Sequence, residues 1–177
     1  MSARILVVYY SRSGHTKQLA EDIAQAVGGD LEAIMDPIDR SGLFGYLRSG
    51  YQALRQRTVD IGSAIHVPSA YDVVVIGTPV WNMSVAPPVR SYLARERGQL
   101  PTVAFFGTCG GRGGERTFAQ MASECGKAPA TTLMVREAEL AHRGTAIARF
   151  ARDLAEALPP PGQEPHPGQV SARDARP

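Results

Sequence analysis

The chain has 177 residues, 44% hydrophobic and 20% charged, with a formal net charge of +2 and a pI near 8.7. This is an ordinary composition for a folded domain with one full hydrophobic core. It contains no apolar run near the roughly 20 residues of a membrane helix. A charge so close to balance gives no ground for nucleic-acid binding.

Residues 4–9 (RILVVY) form a continuous apolar run, the pattern of a strand buried on both faces. The run is too short for a secretory leader. The expected compartment is therefore the cytoplasm, with Cys109 and Cys125 as free thiols. Thr16, Leu19, Ile23 and Val27 recur at helical spacing until Gly28-Gly29. Residues 31–35 alternate and fit an edge strand. In residues 39–60, Leu43, Phe44, Leu47, Tyr51 and Leu54 predict an extra helix. Its Arg40, Arg48, Arg55 and Arg57 fit a solvated face or an acidic partner. Residues 72–77 (DVVVIG) are a third strand, and Pro87-Pro88 open a helix through Val89, Tyr92 and Leu93. Residues 102–107 (TVAFFG) are a fourth strand, followed by a helix bearing Phe118, Met121, Ala122 and Cys125. Residues 131–135 are a fifth strand, and Ile147, Phe150, Ala151, Leu154 and Leu158 line a last helix. From residue 159 the chain is rich in proline and poor in large apolar groups, which predicts a disordered tail after a domain at 1–158.

Strands alternating with helices predict an α/β fold with a parallel sheet covered on both faces. Ligands of such sheets bind beyond the carboxyl ends of the strands. Three loops there are unusual. Residues 11–16 (SRSGHT) combine three hydroxyls, a glycine and the start of a helix, and contain no carboxylate. Unpaired helix N–H groups and the positive end of the helix dipole suit a phosphate. A lone cap would need one hydroxyl, not three. Residues 78–83 (TPVWNM) carry the only tryptophan, Trp81. Residues 107–118 hold Gly107, Gly110, Gly111, Gly113 and Gly114, a backbone able to lie against a planar ligand. Their spacing misses the dinucleotide fingerprint G-x-G-x-x-G.

Taken together, these loops resemble the flavodoxin family. Ser11-Arg12-Ser13-Gly14-His15-Thr16 matches that family's phosphate loop, Ser/Thr-x-Ser/Thr-Gly-x-Thr, at every defined position. The resemblance implies a flavodoxin-like, three-layer, doubly wound sheet of five parallel strands in the order 2-1-3-4-5. It also implies an FMN cofactor. Ser11, Ser13, Gly14, His15 and Thr16 would hold the phosphate, with Arg12 and Lys17 assisting. Pro79, Val80, Trp81, Asn82 and Met83 would line one side of the isoalloxazine, and Thr108, Cys109, Gly110, Gly111 and Gly113 the other.

The chain departs from that family in three ways. It is basic where carrier flavodoxins are acidic. Glycines stand where the family carries an aromatic after the fourth strand. Residues 39–60 are additional. An open ring face suits hydride transfer from NAD(P)H, or a small acceptor such as a quinone, and a redox partner protein is the other expected donor or acceptor. A flavin-free binding module on the same fold is the alternative. A signalling receiver domain would need carboxylates after the first strand, and a low-molecular-weight phosphatase would need Cys-x5-Arg there. Neither is present.

Overall fold

The computed structural model describes residues 3–36 and 59–158. Most of the expected extra helix at 39–60, and the whole tail at 159–177, lie outside the described residues. The elements run β1 (Ile5–Tyr9), α1 (His15–Val27), β2 (Asp30–Ala33), β3 (Val73–Trp81), β4 (Ser84–Val85), α2 (Pro87–Glu96), β5 (Thr102–Cys109), α3 (Gly114–Cys125), β6 (Thr132–Arg136) and α4 (Gly144–Ala157).

Five strands pair in parallel in the order β2-β1-β3-β5-β6. This is the expected 2-1-3-4-5 order once the short antiparallel β4 is set aside. Side chains alternate across each strand. Val7, Val75, Ala104 and Phe106 therefore face Leu19, Ile23, Phe150 and Leu154 of α1 and α4. Leu6, Val8, Val74, Ile76 and Phe105 face Val89, Leu93 and Met121 of α2 and α3. Each such large side chain contributes about 1.5–3 kcal/mol by leaving water. Two cores on opposite faces of one sheet make the three layers. No helix among the described residues is long and apolar enough to cross a membrane.

The structure corrects two local expectations and adds one buried carboxylate. The segment at 78–83 is not a loop. β3 runs on to Trp81, and Asn82 and Met83, at φ 50° and 57°, turn the chain back into β4. Two consecutive positive φ angles mark a two-residue hairpin turn, which the twist of the flanking strands favours. Next, β5 extends to Cys109, because its pairing with β3 and β6 continues past Gly107. Finally, β2 places Glu32 inward and Leu31 outward. The buried Glu32 carboxylate accepts hydrogen bonds from the N–H groups of Ile65 and His66, each at 2.9 Å. Those donors compensate its lost hydration.

Candidate functional site

β1 delivers the chain to the carboxyl edge of the sheet, where Tyr10 N–H donates to Gly77 O at 3.2 Å. The next residues do not cap α1 with a side chain. The cap position is Gly14, at φ 92°, a conformation glycine adopts without steric cost. The Ser11 hydroxyl accepts the Gly14 N–H at 3.1 Å, which folds the loop back on itself. Gln18 N–H then begins the helix on Gly14 O at 3.0 Å. The N–H groups of His15, Thr16 and Lys17 precede that first bond, so they have no acceptor within the helix. Ser13 is exposed and Thr16 is buried. The result is a carboxylate-free turn with N–H groups and hydroxyls as its donors.

The Thr16 hydroxyl lies 2.8 Å from that of Thr108, and both groups are buried. This bond bolts the start of α1 to the end of β5. His15 Nδ1 stands 3.3 Å from Glu137 Oε1, beyond β6. Lys17 Nζ points along α1 toward Glu21, at 3.8 Å.

The second wall is the hairpin. In register, Pro79 lies beside Thr108. Thr78 Oγ1 accepts the Ala86 N–H at 3.1 Å and so closes the base of the turn. Trp81 meets the edge of Tyr10, with ring centroids 5.6 Å apart at 85°. The Arg12 guanidinium lies over the Trp81 ring at 5.1 Å, in cation–π range. Val80 is half-buried, Asn82 is exposed, and Met83 is 49% exposed, high for a large apolar side chain.

The third wall is the glycine run. Cys109 is the buried last residue of β5, so its thiol is shielded from solvent. A Cβ built on Gly110 or Gly111 meets nothing within 4 Å, and neither residue has a left-handed φ. No neighbour among the described residues therefore requires glycine at these two positions. Their bareness instead leaves a shelf of exposed backbone, bent at residues 110–112. Gly113 differs. It caps α3 at φ 101°, and a Cβ there would lie 2.8 Å from Met83 Cα. The glycine run and the hairpin are in contact at this point.

The structure thus brings residues 11–16, 79–83 and 108–113 to one edge of the sheet. Thr16, Thr108 and Cys109 are buried there, and Arg12, Ser13, Asn82, Met83, Gly110 and Gly111 are exposed. Sequence reasoning missed Tyr10, Glu137, and the Ser84 and Gln120 side chains that brace the hairpin. Tyr10 was legible as an aromatic immediately after a buried strand. Glu137 and Gln120 are brought close only by the fold.

The donors fit a phosphate, and the pairing of Trp81 with a bare glycine shelf fits a planar ring. Comparison with known proteins points the same way. The family model described as flavodoxin matches residues 4–140. A curated protein of Chromohalobacter salexigens, an NAD(P)H dehydrogenase (quinone), is 28% identical over 151 residues, covering 82% of this chain and 70% of that protein. The fold resembles a flavoprotein of Lactobacillus acidophilus crystallised in complex with FMN, with TM-score 0.67, 21% identity, and coverage of 78% of this chain and 97% of that one. It also resembles oxidised flavodoxin 1 of Bacillus cereus, with TM-score 0.52, 16% identity, and coverage of 89% and 100%.

Proposed function

Since the chain belongs to the flavodoxin family, we propose that it holds FMN and works as an NAD(P)H-dependent oxidoreductase toward a small quinone-type acceptor. The observation that carries this reading is the asymmetry of the two walls. One bears Trp81 and Met83, and the other is bare backbone at Gly110 and Gly111. A bare wall lets a second planar molecule approach to contact distance, which hydride transfer requires. The curated relative's activity supports the same direction.

In this reading, the N–H groups of His15, Thr16 and Lys17 and the hydroxyls of Ser11, Ser13 and Thr16 hold the phosphate. The helix dipole adds about 0.3–1 kcal/mol, and up to about 2 when partly buried. Trp81 and the shelf orient the isoalloxazine. Bound FMN would supply the electron-accepting chemistry, and the protein would bind, orient and tune it. Arg12 places a positive charge beside the ring wall. The setting that suits this chemistry is cytoplasmic, where nicotinamides are supplied and the free thiols of Cys109 and Cys125 stay reduced.

The test is anaerobic addition of NADPH to the FMN-loaded protein, followed at the flavin absorbance. Fast bleaching, with turnover when a quinone is added, is the expected result. Inertness to NADPH with ready reduction by dithionite would make the protein a carrier that awaits a protein partner. A protein that never takes up FMN would be the flavin-free module.

A further inference from the structure

The hairpin that carries Trp81 is braced from below by a polar network outside the ring walls. Gln120, on the second turn of α3, presents Oε1 to two donors of β4. The Ser84 hydroxyl donates to it at 2.8 Å, and Val85 N–H donates to it at 3.1 Å. Ser84 Oγ in turn accepts from Arg90 Nη2 at 3.3 Å. Arg90 is 2% exposed, and its other arm is bound by Glu124, one turn after Gln120. Ser84 and Val85 are also buried.

The arrangement is economical in what it fixes. β4 is only two residues long and pairs with β3 alone. The turn it closes holds two non-glycine residues at positive φ, a conformation the surroundings must enforce. Gln120 supplies an acceptor where a sheet neighbour would otherwise stand. The same α3 begins at Gly113, which packs on Met83. One helix thus carries the glycine wall at its N-terminus and holds the aromatic wall one to two turns later. The gap between the walls becomes a property of α3.

We propose that Gln120, with Ser84 and Arg90 behind it, is a positioning residue that sets the separation of the two ring walls. The inference rests on the FMN reading for its consequence, but not for its geometry. Loss of Gln120 leaves the buried Val85 N–H and Ser84 hydroxyl without their acceptor, and such groups are costly to leave unmade. The hairpin should then move outward to find water.

Trp81 is the only tryptophan, so its fluorescence reports this hairpin alone. The experiment compares the parent, Gln120→Ala and Gln120→Glu, each as full-length apoprotein and then titrated with FMN. Gln120→Glu keeps an acceptor oxygen and adds a charge toward Arg90. Gln120→Ala is expected to red-shift Trp81 emission, raise its quenching by iodide, and weaken FMN binding about tenfold, a fraction of the cost of the two hydrogen bonds it removes. Gln120→Glu is expected to restore all three to within about twofold of the parent, since it keeps that acceptor. Unchanged emission and FMN affinity in a folded Gln120→Ala would overturn the proposal, even if thermal stability fell. Should Gln120→Ala fail to fold, Ser84→Ala removes one donor while Val85 keeps its bond, and a smaller shift of the same sign is expected. No shift there would equally overturn it. If the parent itself takes up no FMN, the functional reading fails, and Trp81 emission in the apoproteins still decides the clamp.

Discussion

The Arg12 guanidinium lies 5.1 Å from the centroid of the Trp81 ring. A residue of the 11–16 loop thereby touches the wall proposed to line the flavin ring. The contact joins two elements that the sequence holds far apart, and it brings a fixed positive charge to the ring side of the site. A cation about 10 Å from the ring, at an effective dielectric near 20, interacts by about 1.7 kcal/mol. Per electron that is about 70 mV, which exposure and salt reduce. Arg12→Gln should lower the midpoint potential of bound flavin by a few tens of millivolts, on the order set by that screened interaction. Potentiometric titration at two salt concentrations checks it. The difference should shrink at high salt.

The Thr16–Thr108 bond makes a second prediction. Thr108→Val leaves the buried Thr16 hydroxyl without its partner and should destabilise the apoprotein by about 1–3 kcal/mol. Replacing both residues by valine removes both unsatisfied groups, so the double variant should be more stable than the sum of the single losses. Denaturant unfolding of the four apoproteins measures the coupling. Additive losses would show that the two hydroxyls do not depend on each other.

The glycine shelf separates stability from function. Gly111→Ala adds a methyl group that meets nothing within 4 Å among the described residues, at an ordinary φ, so apoprotein stability should stay within about 0.5 kcal/mol. The same methyl group stands in the space assigned to the ring, so FMN affinity or the rate of reduction by NADPH should fall. Gly113→Ala should instead cost about 1–3 kcal/mol of stability, because its φ is 101° and Met83 Cα would lie 2.8 Å from the new Cβ. Melting curves paired with FMN titrations distinguish the two.

The two free cysteines carry a prediction about thiol reactivity. Burial raises the Cys125 thiol pKa, outweighing the opposing hydrogen bond at Lys127. A raised pKa keeps the thiol protonated through neutral pH, so the reactive thiolate is scarce. Cys109 is also buried. Neither thiol should react with a disulfide reagent such as DTNB at pH 7 until the chain unfolds. Rapid modification of one thiol in the folded protein would show that its position opens.

Much of the fold was legible because its signals are strong and local. The apolar runs at 4–9, 72–77 and 102–107 can be satisfied only in the middle of a covered sheet. The spacing of Leu19 and Ile23 left one face for α1. The position of the turn at 11–16 was legible because a buried apolar run ends just before it and helical spacing starts just after it. The hairpin at Asn82-Met83 was not, because methionine gives no sign that it will adopt a positive φ. Its enforcement comes from Gln120, 36 residues from Ser84. The burial of Glu32 was illegible for the same reason. A glutamate in an edge strand ordinarily faces water, and the distant N–H groups of Ile65 and His66, together with the His66 ring nitrogen Nδ1 at 2.8 Å, let it turn inward. What sequence could not supply was side-chain partners supplied by tertiary contact.

On the proposed function, residues 11–16 grip a phosphate and the two walls hold a planar ring. The most direct measurement is a titration of the apoprotein with FMN and, in parallel, with riboflavin, followed by quenching of Trp81. Saturable quenching by FMN, with riboflavin bound at least about tenfold more weakly, is the predicted result, since each factor of ten corresponds to about 1.4 kcal/mol of phosphate interaction. Equal affinities would contradict the phosphate grip, and no quenching by either would contradict the site as a whole.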